Sequence, residues 1–270
     1  MREIALTGSV WHEDVPAFEE RAARVALDAL SPRTGRWTGK IGYGLEWNET
    51  REVSDAAEFI LDDPEDRYLI SSLHAEVGYD GTDHPLDATE GSRLRVTSEL
   101  SPTWIGSEFD FLSFEAEARH YLSLGPGVLA GRIQGAVVLP FGVTSSDEIP
   151  LPRRLFAGGG GSVRGFEYQK LGPLDASDEP VGGTTRVLAS LEYRFPIVAP
   201  VGGVVFLDGG HVNLDPLHVE PSEFRYSAGV GVRIATPIGP LRADFGYVLN
   251  PSHDSEDDRG RLHFSIGQAF

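Results

Sequence analysis

The chain has 270 residues, 41 acidic against 23 basic, and a formal net charge of -18. That balance excludes nucleic acid as a partner, since phosphate binding needs clustered Lys and Arg, and the lack of cysteine excludes disulfides and thiolate metal sites while suiting passage through an oxidising periplasm. No run approaches the roughly 18 apolar residues of a membrane-spanning helix, but a mean hydropathy of -0.18 does not exclude a membrane, because β-barrels alternate lipid-facing and lumen-facing residues.

Met1-Arg2-Glu3 carries none of the features of an export signal. Ile4, Leu6 and Val10 alternate with Ala5, Thr7 and Ser9 in a first strand that begins without a turn, as a cut segment would. Glu19 to Leu30 has the composition of a helix, yet Ala23, Val25, Leu27 and Ala29 alternate with Arg24, Ala26 and Asp28, so a strand is expected. After the turn Ser31-Pro32-Arg33-Thr34-Gly35, Trp37, Ile41, Tyr43, Leu45 and Trp47 share one face of a third strand. Thr50 to Asp66 reads as a long acidic external loop. Strand signals resume at Tyr68, with Leu69, Leu73 and Val77 opposite Ser72, His74 and Glu76, and the loop Asp80 to Gly91 leads to Leu94, Val96 and Leu100. Leu112 to Ala118 and Leu129 to Leu139 form the next pair across Gly125-Pro126-Gly127, with Arg132 and Gln134 on the polar face.

Leu155 to Pro173, LFAGGGGSVRGFEYQKLGP, interrupts this pattern. The run Gly158 to Gly161, followed by Ser162, Val163, Arg164, Gly165 and Phe166, must be loop, because glycine loses the most backbone entropy on ordering and has no side chain to pack. It lacks the Gly-Lys-Ser/Thr ending of a P-loop and precedes no helical pattern, which excludes nucleotide binding. Five strands follow: Val187 to Phe195, Val204 to Gly210, Phe224 to Ile234, Leu241 to Leu249 after the link Thr236-Pro237-Ile238-Gly239-Pro240, and a last one in which Leu262, Phe264, Ile266 and Phe270 share a face with Gln268 as the exception.

Strands of about nine to eleven residues or more, joined by alternately short and long links, have transmembrane dimensions; those of globular sheets run to about five or six. A water-soluble β-sandwich shows the same alternation, but opposite charges and glycines on the polar faces fit a crowded wet lumen. The expected fold is all-β, a transmembrane antiparallel up-and-down β-barrel with residues 1–270 as one partial domain.

Ser162-Val163-Arg164-Gly165-Phe166, the strand motif Phe206-Leu207-Asp208-Gly209-Gly210, Ser227 to Arg233, Thr236 to Phe245 and the ending H-F-S-I-G-Q-A-F together resemble the BamA/TamA outer-membrane assembly-factor superfamily, most like the C-terminal barrel of its TamA branch. The resemblance implies a sixteen-stranded family barrel, of which about a dozen strands are present, and a long Gly-rich loop folded into the lumen. It implies that Arg164 pairs with Asp208 there, with Glu192, Arg194, Arg233 and Asp244 as lumen-facing members of the same network. It further implies a non-catalytic, cofactor-free role in inserting or secreting β-barrel proteins such as autotransporters, in the lipid bilayer of the bacterial outer membrane. Leu262, Phe264, Ile266 and Phe270 would carry the strand edge and the protein's own assembly signal. An inner-membrane-anchored TamB-like partner would engage POTRA domains absent from this stretch, and seven strands before the loop where the family has eleven imply N-terminal truncation.

Three alternatives stand beside this one. A two-partner-secretion transporter shares the loop signature, and a passive pore shares the architecture. An outer-membrane hydrolase would need a base such as His74, His120, His211 or His263, but G-x-S-x-G is missing. Asp254 to Asp258 lacks the ligand spacing of a calcium loop, so no metal site is expected.

Overall fold

The computed structural model describes residues 3–31, 35–51, 67–175, 178–236, 239–251 and 259–270. The strands are β1 (Glu3–Val15), β2 (Phe18–Leu30), β3 (Trp37–Arg51), β4 (Arg67–Asp80), β5 (Gly91–Ser101), β6 (Phe111–Leu124), β7 (Gly127–Pro140), β8 (Thr185–Val198), β9 (Val201–Asn213), β10 (Arg225–Ile234), β11 (Leu241–Val248) and β12 (Gly260–Ile266). Each pairs antiparallel with its neighbours in sequence, in one up-and-down sheet ordered β1 to β12. Among the described residues seven strands precede the glycine loop and five follow it. The sheet curls round a lumen, and among the described residues β1 and β12 do not pair with each other.

The alternation read along the chain becomes the two faces of this wall, because a period of two sends successive side chains to opposite sides. Val25, Leu45, Ile133, Leu207, Val230 and Phe264 point outward and are exposed, as a lipid-facing surface requires. Asp28, Glu46, Arg132, Glu192, Asp208 and Asp244 point inward and are buried. Register keeps the two sets apart across every strand pair: Arg24 is opposite Glu46, and Val25 opposite Leu45. The 13-residue segment from Phe18 is a strand despite its helical composition, because both neighbours offer it complete ladders and tertiary pairing overrides a weak propensity.

One end carries the two-residue links 125–126 between β6 and β7 and 199–200 between β8 and β9 together with 81–90 between β4 and β5, whereas the opposite end carries 16–17, 102–110, 141–184 and 214–224. Most of the acidic loop called at Thr50 to Asp66 lies outside the described residues. So do Pro32-Arg33-Thr34, Pro237-Ile238, Asp254 to Asp258, and Met1-Arg2.

One expectation is overturned. The final strand stops at Ile266 rather than running to Phe270, and Phe270 does not share the face of Leu262, Phe264 and Ile266. Those three are 58%, 74% and 63% exposed on the lipid side, whereas Phe270 is 6% exposed inside the lumen. The cause is Gly267, whose φ of +98° lies in the left-handed region. A residue there ends the ladder and breaks the alternation, so position parity no longer predicts the face.

Candidate functional site

The connection 141–184 folds back along the inner wall, and its residues 162–166 are seated against β8 to β12. Arg164 is 1% exposed. Its Nε and Nη2 donate to the two carboxylate oxygens of Asp208 at 2.7 and 2.8 Å, a bidentate pair, and its backbone N–H donates to Asp208 at 3.1 Å. Nη1 donates to Glu192, and to Asp244 at 3.3 Å. The Phe206 ring lies under the guanidinium, 3.4 Å from centroid to Cζ. Thus β8, β9 and β11 each supply one carboxylate to a single loop arginine, and all three are 0% exposed.

Those carboxylates meet because inward positions of adjacent strands stand side by side: Ser190 and Ser227 flank Asp208, and Gly231 faces Asp244. Small residues between the acids leave room for the guanidinium. Arg194 donates to Glu192 at 2.9 Å, Arg233 donates to Asp244 at 3.2 Å through Nη2, and Arg242 lies 3.3 Å from Asp244. Asp208, by contrast, has Arg164 as its ion-pair partner and no other cation within 4 Å among the described residues. A buried carboxylate without its cation is costly, so the loop arginine completes the wall's electrostatics.

The glycine run has a definite use in this arrangement. Arg242 Nη2 donates to the Gly160 carbonyl at 2.6 Å, and Arg132 donates to the carbonyls of Gly161 and Ser162 at 3.0 and 3.2 Å. Three successive loop carbonyls are therefore held by two wall arginines. Ser162 Oγ accepts from the Gly158 N–H at 2.8 Å, folding the run on itself. The tight backbone approach is at Gly165, which lies on Gly246 of β11: a Cβ at Gly246 would stand 2.6 Å from the Gly165 nitrogen and 2.7 Å from the Arg164 carbonyl carbon. The Gly165 N–H donates to His263 Nε2 at 3.1 Å, which ties the loop to β12 and requires a lone pair on that nitrogen. Val163 and Phe166 enter an apolar cluster with Ala157, Leu171, Leu188, Val212 and Val248.

Sequence reasoning singled out Arg164, Asp208, Glu192, Arg194, Arg233 and Asp244, and the fold brings all six to one height of the lumen. It named Phe206 within a strand motif and His263 as a candidate base, but not their contacts with the loop, nor the carbonyl-binding roles of Arg132 and Arg242; alternation marks these arginines as inward, but nothing in one strand gives the height at which the loop crosses it. It also missed Arg153, in a 3-10 turn at Leu151–Arg153. Arg153 Nη2 donates to Glu46 of β3 at 2.6 Å, and its Nε lies 3.4 Å from Glu99 of β5. The same connection therefore grips both sides of the lumen. The adjacent Arg154 turns back on the loop, donating to the carbonyls of Ser146 and Ile149 at 2.7 and 3.1 Å; burial pulls its pKa down to about 10, against the opposing influence of Asp147.

A sequence profile described as the Omp85 superfamily domain matches residues 12–270. The chain is 31% identical over 257 residues to the outer membrane protein assembly factor BamA of Nitratidesulfovibrio vulgaris, covering 92% of this chain and 31% of that protein. It is 31% identical over 213 residues to the chloroplastic outer envelope protein 80 of Arabidopsis thaliana, covering 76% of this chain and 25% of that protein. The crystal structure of BamA from Haemophilus ducreyi lacking POTRA domains 1-3 superposes with a TM-score of 0.77 at 20% identity, over 98% of this chain and 58% of that one; this likeness is one of fold. The chain thus spans about a third or less of the length of each of these two curated relatives. With a profile match over nearly its whole length, a single up-and-down sheet and an inward loop arginine on wall carboxylates, the chain belongs to the Omp85 superfamily of outer-membrane β-barrels.

Proposed function

We propose that this chain is the barrel portion of a factor that assembles other β-barrel proteins into the outer membrane, and that it works as a physical template without catalysing a covalent step. The observation that carries the reading is the seating of Arg164 on Asp208, Glu192 and Asp244, which fixes the loop against the wall beside β12. Among the described residues β12 pairs with β11 alone, so its other edge presents backbone N–H and C=O groups. In lipid each unsatisfied group costs several kcal/mol, which favours pairing with an incoming strand.

The substrates in this reading are nascent outer-membrane proteins. The autotransporter-directed form and a TamB-like partner reached through POTRA domains are finer versions of the same proposal, supported by the TamA-like motifs of the C-terminal half. The hydrolase alternative gains little support: Ser92 Oγ and His120 Nδ1 do hydrogen-bond, at 2.8 Å, but on the outward side and with no carboxylate joining them among the described residues.

The test is reconstitution of the full chain in liposomes, followed by the rate at which a urea-denatured outer-membrane protein becomes heat-modifiable and protease-resistant. The expected result is an acceleration of several-fold over protein-free liposomes, lost in Arg164→Ala. Ion conductance with no acceleration would sink the assembly reading in favour of a pore; release of one dedicated secreted protein in its place would favour a secretion transporter.

A further inference from the structure

Beyond Gly267 the chain leaves the wall and crosses the lumen mouth. Phe270 packs with Ala88, Tyr121 and Ala130, and the guanidinium carbons of Arg132 and Arg194 each stand 5.3 Å from its ring centroid. Two cations against one aromatic ring, with a tyrosine and a small residue completing the seat, make a site suited to an aromatic side chain. The tethers around it are few. The Gly267 N–H donates to the Pro240 carbonyl at 2.8 Å, Gln268 Nε2 donates to Asp87 at 2.8 Å, and Arg194 Nη2 reaches the Phe270 carbonyl only at 3.4 Å.

The seat also holds unused capacity. Arg194, 8% exposed, keeps its Nη1 buried without a hydrogen-bond partner among the described residues, as does Gln268 for its Oε1; such groups ordinarily find partners. Beside them opens a cavity of about 360 Å³, bordered by Val128, Pro196, Pro200, Arg194, Arg233 and Gln268. Space and an unspent donor lie next to a weakly tethered occupant.

Both arginines also lead to the loop. Arg132 holds the Gly161 and Ser162 carbonyls, and Arg194 holds Glu192, which pairs with Arg164. The ring is therefore in contact with groups that also hold the loop.

We propose that Tyr121, Ala130, Arg132 and Arg194 form a receptor for the aromatic side chain of an extended peptide, filled at rest by Phe270, which an incoming aromatic-bearing strand displaces. This rests on the assembly reading, which supplies such strands. Displacement frees Gly267 to Phe270 and, through the two arginines, reports arrival to the signature loop.

The experiment uses the full chain folded in detergent and a fluorescent, amidated octapeptide with the sequence of residues 263–270, beside the same peptide ending in alanine. Phe270→Ala, with its seat empty, is expected to bind the Phe-ended peptide at least ten-fold more tightly than the Ala-ended one, and more tightly than the native chain does. Adding Arg132→Gln should abolish that preference, and a photoreactive aromatic at the peptide's last position should crosslink to Tyr121 or Ala130. Equal binding of both peptides, or crosslinks confined to the edge of β12, overturns the proposal. If Phe270→Ala does not fold, Phe270→Leu fills the seat without a π face, and the same ten-fold preference or its absence decides. Peptide binding is read without client insertion, so a chain that binds the peptide but inserts nothing defeats the assembly reading alone, and a chain that inserts clients without aromatic preference defeats the receptor alone.

Discussion

The loop 141–184 is held by two arginines on opposite sides of the lumen, and they differ in how much depends on them. Arg164 spends its guanidinium on three fully buried carboxylates and lies on an aromatic ring. Arg153, partly reached by solvent, has one good hydrogen bond, to Glu46, and a longer ion pair with Glu99. The carboxylates differ too. Asp208 has Arg164 as its one ion-pair partner within 4 Å among the described residues, whereas Glu46 also faces Arg24 at 3.5 Å. An anchor whose partners have alternatives can be lost with less consequence than one whose partners have none, since the penalty of a broken buried pair falls mainly on the charge left behind.

Substitutions at the two anchors and at the wall behind the loop probe that difference. Arg164→Ala strands Asp208 and is expected to cost about 3–5 kcal/mol, read as a fall in the temperature at which the folded, fast-migrating gel species disappears; Arg164→Lys should recover little, because an ammonium cannot make the bidentate pair. Gly246→Ala leaves every charge in place but puts a methyl against the backbone of Arg164 and Gly165. Overpacking of this kind costs about 1–3 kcal/mol, and protease sensitivity of the loop should rise with it. Arg153→Ala is expected to cost less than Arg164→Ala, about 1.5–3 kcal/mol, the scale of one hydrogen bond to a charged group. A double-mutant cycle with Glu46→Gln should return a coupling energy below that of Arg164 with Asp208→Asn. If Arg153→Ala destabilised the barrel as much as Arg164→Ala, the two anchors would be equivalent and the comparison would fail.

The difference also explains which anchor could be seen beforehand. Arg164 is framed by Val163 and Gly165 in a recognisable motif, and its partners lie on strands whose alternation points them inward. Arg153 stands in an irregular Leu-Pro-Arg-Arg-Leu stretch, 107 positions from Glu46. No local pattern separates it from Arg154, which turns the other way. Phe270 shows the opposite failure: strict alternation predicts an outward ring, and one left-handed glycine reverses it.

By itself the sequence determined the strands, their faces and the loop, because each follows from local rules: a period of two, glycine's lack of a side chain, and the length needed to cross a bilayer. The tertiary structure alone decided heights and crossings: which wall arginines receive the loop carbonyls, where Arg153 lands, and that Phe270 turns inward. These depend on register summed over several strands and on the path of a long loop through a shared interior, and neither quantity is written in any one segment.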